Sequence, residues 1–142
     1  MTDSGRFGLK RSLSLKRARL VRPLFDRSRS DVRSVSAGCV RIMYRAVPQA
    51  DLPGRVDVQA VFVVSRRSGS AVVRNRIKRR VRETYRRLLP TFAGIVADSG
   101  SALTMAIVFR GNRGDDKGPL GNDLETAMRL LTARFIPIRN SH

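Results

Sequence analysis

The sequence predicts an α+β fold in which helices pack on one mostly antiparallel sheet. Residues 39–46 alternate between apolar and polar side chains, as a half-exposed strand does. Residues 60–64 and 102–109 form apolar runs, which are typical of strands covered on both faces. Between these runs, apolar residues recur every three or four positions from Val73 to Leu88, and this is the period of a helix.

The chain divides into one domain and two short ends. Its 142 residues are enough for a single domain. Residues 1–14 mix glycine, serine and basic side chains without any period, so we expect a disordered basic tail there. The domain is expected to cover residues 15–136, and residues 137–142 are expected to form a second tail.

The first element is predicted to be a short helix. Residues 15–26 have helical spacing, with Leu20 and Leu24 on one side. Pro23 removes a backbone donor and clashes with the preceding turn, so the helix should be short or kinked. Residues 27–38 alternate serine with charge and predict a long loop.

The next two elements are predicted to be strands. Residues 39–46 and 56–65 flank a turn region at 48–54, and an antiparallel hairpin is the simplest arrangement of the two. The second strand is followed by the helical stretch and then by the apolar run 102–109. This strand, helix, strand order suggests a crossover with parallel pairing.

The helical stretch is strongly basic. Ten of the residues from Ser65 to Leu89 are Lys or Arg, and only Glu83 opposes them. Ser70 is a plausible N-cap, and Pro90 should end the helix. The apolar stripe of this helix is Val73, Ile77, Val81, Tyr85 and Leu88, and the side opposite it carries Asn75, Lys78, Arg79, Arg82 and Arg86.

Two interpretations of these charges are open. Charge runs are often only solvated surface, but solvated faces usually mix both signs, and this one does not. Arg outnumbers Lys nine to one here, and the planar guanidinium donates two parallel hydrogen bonds to phosphate. A phosphate-rich partner is therefore the favoured interpretation.

The C-terminal part predicts a loop and a helix. Residues 111–121 are rich in glycine, and we expect Asp115 and Asp116 to be solvated, because no further metal ligands are suitably spaced nearby. Asn122 and Glu125 resemble a capping box. The helical core stripe that follows is Leu124, Met128, Leu131 and Phe135, and Pro137 should end it.

Composition limits the possible functions. The formal charge of +18 predicts attraction to polyanions, with nucleic acid first and an anionic membrane surface second. The one cysteine, Cys39, excludes an intrachain disulfide, and the one histidine is terminal, so the usual general-base constellations are absent. We expect no catalytic and no metal-binding side chain. A secretory segment and a membrane span are not seen, which favours a cytoplasmic protein.

The basic stretch also carries a family resemblance. The run SRRSGSAVVRNRIKRRVRE resembles the signature of the protein subunit of bacterial ribonuclease P, and a weaker likeness extends from about Leu15 to Phe135. The residues that carry the signature are Gly69, Ala71, Val72, Arg74, Asn75, Arg76, Lys78, Arg79, Arg82 and Glu83.

The resemblance implies a fold, an activity and partners. The fold would be a small α/β sandwich with a central sheet of about four strands. The activity would be endonucleolytic removal of the 5′ leader from precursor tRNA, with a partner RNA carrying the catalytic centre. Mg²⁺ would be held mainly by that RNA. Precursor tRNA and the catalytic RNA are the expected partners, and neither DNA nor a membrane is.

Two surfaces follow from the resemblance. The basic helix would bind RNA, and a cleft between the N-terminal helix and the sheet would bind the single-stranded leader. Asn75 has the alternative of a local backbone hydrogen bond, and Phe25 has that of a core position. The RNA-binding set is Arg66, Arg67, Arg74, Asn75, Arg76, Lys78, Arg79, Arg82 and Arg86, and the cleft set is Val21, Phe25, Arg27, Arg41 and Tyr44.

Two other functions compete with this one. A ribosomal or general RNA-binding protein would share the composition, but it would not require the ordered match from Gly69 to Glu83. A membrane-binding amphipathic helix would need large aromatic residues on its apolar face, and this helix lacks them.

Overall fold

The computed structural model describes residues 18–52, 56–111 and 120–140, with side chains through residue 134. The predicted basic tail at 1–14, and Asp115 and Asp116, lie outside these residues. The helices are α1 (Ala18–Val21), α2 (Ala71–Asp98) and α3 (Leu120–Asn140), with 3₁₀ turns at Arg22–Phe25, Gln49–Asp51 and Arg66–Ser68. The strands are β1 (Arg33–Ala37), β2 (Val40–Val47), β3 (Val58–Val64) and β4 (Ala102–Phe109).

The four strands form one sheet in the order β1-β2-β4-β3. The pairs β1–β2 and β2–β4 are antiparallel, whereas β3 and β4 are parallel and joined by α2. The α+β class, the mostly antiparallel sheet and the parallel crossover are confirmed. The predicted hairpin between the second and third strands is wrong, because β4 lies between them and pairs with both.

The segment predicted as a long loop contains β1. Its five residues, RSVSA, place only Val35 in the core, so an apolar period is absent from the sequence. β1 forms a hairpin with β2 through Gly38, whose φ of 56° lies in the left-handed region that glycine adopts readily. The Asp123 carboxylate accepts hydrogen bonds from the Cys39 backbone N–H at 3.0 Å and from its thiol at 3.2 Å. The turn is therefore attached to α3.

The two faces of the sheet are covered differently. On one face, β2, β3 and β4 contribute a large core that α2 and α3 cover, with Ile42, Phe62 and Ile107 among its members. On the other face, Leu20 and Leu24 of the N-terminal segment pack on the small residues of β4. Two long helices cover the first face, whereas only a short N-terminal segment covers the second, so part of the second face stays open.

The basic helix is longer than predicted. Ser70 is confirmed as the N-cap, since its Oγ accepts a hydrogen bond from the Val73 N–H at 3.4 Å. Pro90 does not end α2, which continues to Asp98. Pro90 is exposed, while Phe92 and Val96 carry the buried stripe beyond it. Burial of these side chains offsets the backbone hydrogen bond that proline removes.

The N-terminal helix agrees with its prediction, whereas the C-terminal helix extends beyond its predicted limits. Pro23 behaves as predicted, because α1 tightens into a 3₁₀ turn there. In α3, Asn122 is the third residue of the helix and not its cap, and Pro137 lies inside the helix, which runs to Asn140. Leu124, Met128 and Leu131 are buried as predicted, whereas the side chain of Phe135 lies outside the described part.

Candidate nucleic-acid interface

The entry to α2 is fixed by hydrogen bonds of two serine side chains. Ser65 Oγ accepts from the Arg67 N–H at 3.2 Å and caps the 3₁₀ turn, while the buried Ser68 hydroxyl donates to the Gly111 carbonyl at 2.7 Å. Gly69 has a φ of 139°, and a Cβ there would approach Val73 to 3.0 Å. These contacts place the exposed side chains of Arg66 and Arg67 at the N-terminal end of α2.

Most predicted RNA-binding side chains on α2 point to solvent. Arg74 and Lys78 are half-buried, and Arg74 Nε is buried without a hydrogen-bond partner in the described part of the chain. The Asn75 side chain forms no hydrogen bond with any described residue, so the alternative of a side-chain bond to the local backbone is not realised there. The exposed members of the set are Arg66, Arg67, Asn75, Arg76, Arg79, Arg82 and Arg86.

The charge pattern of α2 does not serve helix stability. Acidic side chains stabilise the first turn of a helix and basic ones stabilise the last turn. In α2 the first turn has no acidic residue and the last turn has no basic residue. Arg79, Arg82 and Arg86 also form no ion pair with any residue in ranges 18–52, 56–111 and 120–134. These cations therefore remain available to an external anion.

One of these cations is supported by the core. The guanidinium of Arg82 lies over the ring of Phe62, with 5.6 Å between its carbon and the ring centroid. Phe62 in turn meets Tyr85 edge to face, with centroids 5.4 Å apart and ring planes at 71°. Phe62 is buried on β3, so this stack orients Arg82 relative to the sheet.

A groove of about 780 Å³ opens on the other face of the sheet, beside the N-terminal segment. Leu24, Val32, Met43 and Val108 give it apolar surface, and Phe25 is 47% exposed at its wall, so Phe25 is not a core residue. The charged side chains that line the groove are Asp26, Arg27, Arg29, Arg33, Arg41 and Arg110. Five arginines against one aspartate make the groove strongly positive.

The structure brings together three of the five predicted cleft residues. Phe25, Arg27 and Arg41 line the groove, while Val21 packs half-buried against the small core beside it. Tyr44 is a correction, because it is 5% exposed and lies in the large core on the opposite face. Side chains alternate along β2, so Met43 faces the groove where Tyr44 was expected.

Several groove residues were not predicted from the sequence. Arg29 and Arg33 lie in the segment predicted to be a loop, and Arg110 follows β4 directly. The alternation of β2 had already placed Met43 on the same face as Arg41, and this signal could have identified it. Arg29 and Arg110 carry no periodic signal, because their positions depend on how the chain folds back on the sheet.

Hydrogen bonds with two aspartates shape the segment beside the groove. Asp26 Oδ1 accepts from the Ser28 N–H at 3.0 Å and from its hydroxyl at 2.6 Å, and these bonds lower the pKa of Asp26. Asp31 accepts from Arg29 Nε and Nη2 and from Arg45 Nε, each at 2.9 Å. These hydrogen bonds hold the pKa of Asp31 well below its usual range.

The described residues offer no metal centre. Within ranges 18–52, 56–111 and 120–134, no three His, Cys, Asp or Glu side chains are grouped so that they could hold an ion. Among the described helices, none combines the length and the apolar character that a membrane span requires.

Comparison with known proteins gives consistent matches. The family model described as Ribonuclease P matches residues 9–128. The ribonuclease P protein component of Roseiflexus castenholzii is 44% identical over 69 residues, which cover 49% of this chain and 52% of that relative. The match thus spans about half the length of the curated relative.

Solved structures share the fold. A mutant of the Staphylococcus aureus RNase P protein superposes with a TM-score of 0.60 at 17% identity, covering 84% of this chain and 88% of that one. Another structure of the S. aureus RNase P protein gives a TM-score of 0.55 at 16% identity, covering 87% and 92%. At these identities the superpositions establish the α+β fold alone.

Proposed function

The chain belongs to the ribonuclease P protein family, and from this premise we propose that it is the protein subunit of ribonuclease P. In this proposal it assists the endonucleolytic removal of the 5′ leader from precursor tRNA, while a partner RNA carries out the chemistry. The observation that supports it most strongly is on α2, where Arg79, Arg82 and Arg86 are exposed and form no ion pair with a described residue. The proposal places the complex in the cytoplasm, where we expect its two RNA partners to be.

The exposed cations of α2 would bind the catalytic RNA. Phosphate contacts fix the position of a protein on folded RNA and supply most of its salt-dependent affinity. Arg79, Arg82 and Arg86 have side chains free for such contacts, and the aromatic stack under Arg82 limits its movement. Asn75 adds a directed hydrogen bond without charge, at a position of the family signature.

The groove would bind the single-stranded leader. Single strands are held by a basic groove together with aromatic faces on which bases stack. Phe25 supplies the exposed ring, Arg27 and Arg41 supply charge, and Met43 takes the place that had been assigned to Tyr44. The groove and α2 lie on opposite faces of the sheet, so one protein can contact the catalytic RNA and the leader at once.

Mg²⁺ would be held by the partner RNA. Among the described residues, no three His, Cys, Asp or Glu side chains are grouped so that they could hold the ion. The contribution of the chain is to screen phosphate charge and to raise substrate affinity. Both effects should lower the Mg²⁺ concentration that the RNA needs.

The test is cleavage of a precursor tRNA with a 5′ extension at low Mg²⁺, using a bacterial ribonuclease P RNA with and without this protein. Strong stimulation at the mature 5′ end is expected. The matched control is an equal concentration of a basic RNA-binding protein of similar charge. Binding to the cognate RNA without stimulation would favour the general RNA-binding alternative.

A further inference from the structure

Asp31 is an acidic residue in the positive surroundings of the groove. It lies between the 3₁₀ turn that carries Phe25 and strand β1, and it joins that segment to β2. Its Oδ1 and Oδ2 accept two parallel hydrogen bonds from Arg29, a groove residue, and its Oδ2 accepts a third from Arg45. One carboxylate therefore holds two arginines from separate parts of the chain.

The geometry leaves these arginines able to bind a second anion. A guanidinium has five N–H donors. Asp31 engages two donors of the Arg29 guanidinium and one of the Arg45 guanidinium, and neither guanidinium donates to another described residue. Both guanidinium groups thus keep donors that no described residue engages, while the edges that face Asp31 are fixed. Arg45 is only 19% exposed, which limits the directions that its free donors can take.

We propose that Asp31 is a positioning residue for single-stranded RNA, which holds Arg29 in the groove wall and Arg45 on β2 beside it so that their free donors meet phosphates of a strand bound in the groove. The inference rests on the proposed function, since it specifies how the groove binds the leader. The hydrogen bonds that Asp31 accepts from Arg29 and Arg45 hold its pKa well below the usual range, so its carboxylate is ionised at neutral pH. The same pairing raises the pKa of Arg29.

The proposal predicts that removing the charge of Asp31 weakens RNA binding, which is the opposite of what charge alone would predict. Removing a negative charge beside a polyanion should strengthen binding if charge alone matters. Losing the position of one or two phosphate contacts should weaken it. Each phosphate contact with a single strand contributes about 0.7 to the slope of log K against log salt. Near 0.15 M salt this contribution corresponds to about four-fold in affinity. Asp31→Asn should therefore bind the leader at least about four-fold more weakly, although it removes one negative charge.

The experiment measures the affinity of the holoenzyme for precursor tRNA with a leader and for the same tRNA without one. Glu125→Gln is the matched control, since it also removes one negative charge and one arginine ion pair, on α3. Asp31→Asn should lose affinity only for the substrate with a leader, and Asp31→Glu should recover part of it. Glu125→Gln should change either affinity by less than about two-fold, since exposed pairs contribute little.

A double-mutant cycle distinguishes an effect of Asp31 that acts through Arg29 from a general loss of folded protein. If Asp31 acts through Arg29, Asp31→Asn should cause a smaller loss in an Arg29→Ala background than in the wild type. Equal or tighter leader binding by Asp31→Asn would overturn the proposal, and so would an equal loss with the leaderless tRNA. A wild-type protein that does not distinguish the two substrates would instead refute the proposed function of the groove.

Discussion

Replacing both Arg79 and Arg82 with Ala should weaken binding to the catalytic RNA by an amount that depends steeply on salt. Both side chains are exposed, and neither forms an ion pair with a described residue, so each can be counted as one full cation toward phosphate. Each phosphate contact contributes about 0.9 to the slope of log K against log salt. The slope of the double variant should therefore be smaller in magnitude by about 1.8.

The same coefficient gives the loss of affinity. At 0.15 M salt one contact corresponds to about five-fold in affinity, so two correspond to about 30-fold, or about 2 kcal/mol. At 0.05 M salt the loss for two contacts grows to about 200-fold. Arg82 also covers the Phe62 ring, so its removal should lower stability slightly, by about 0.5 to 1 kcal/mol.

The assay is a filter-binding or anisotropy titration of the RNA subunit at four or five salt concentrations. The matched control replaces Arg129 and Arg134, which lie on α3 and hydrogen-bond Glu125 and the Ser34 carbonyl respectively. It removes the same two charges, but it should keep most of the wild-type slope. An unchanged slope in the α2 variant, or equal losses in the two variants, would refute the assignment of α2 as the RNA-binding surface.

Three further predictions concern single residues. Phe25→Ala should reduce affinity for a precursor with a leader by about ten-fold, as expected for one lost stacking contact, while leaderless tRNA binds as before. Equal loss with both substrates would contradict the stacking role. Tyr85→Phe should leave the free energy of unfolding equal or raise it by up to about 1 kcal/mol, because the buried hydroxyl lacks a partner among the described residues. Loss of more than about 1 kcal/mol in urea unfolding would show that this hydroxyl is bonded. Gly38→Ala should destabilise the protein by about 1 to 3 kcal/mol, because φ is 56° and its Cβ would overlap the Asp123 carboxylate. Gly94→Ala, in open space on α2, should instead stabilise it in the same unfolding assay, and a loss there would contradict the argument.

The elements predicted correctly are those whose core contacts follow a period. Four residues of the α2 stripe, from Val73 to Tyr85, are buried as the spacing predicts, and β4 is covered on both faces. β1 was missed because it is an edge strand with one core residue, Val35. The end of α2 was misplaced because proline rules are local, whereas Phe92 and Val96 are buried by tertiary contacts.

The candidate site was predictable to the extent that it lies on one element. The cations of α2 are close in sequence, so the helical period alone places them on its surface. The groove combines residues from the N-terminal turn, β1, β2 and the end of β4. Its composition depends on the strand order, and the predicted hairpin of β2 with β3 would have separated Arg41 from Arg110. Tyr44 was assigned to the groove by resemblance, although the alternation of β2 grouped it with the core residues Val40 and Ile42.

The central place of β4 in the sheet determines when the sheet can be completed during synthesis of the chain. Chains are made from the N-terminus, and local pairs such as the β1–β2 hairpin can form early. Among the described strands, β3 pairs only with β4, which is the last to be translated. Until β4 has been added, β3 has no neighbouring strand in the sheet. The apolar stripe of α2 then lacks the side chains of β4 against which it packs. A nascent chain that has not reached β4 therefore carries its ten clustered cations on a segment without its final support, and the proposed RNA-binding surface is complete only after β4 has been added.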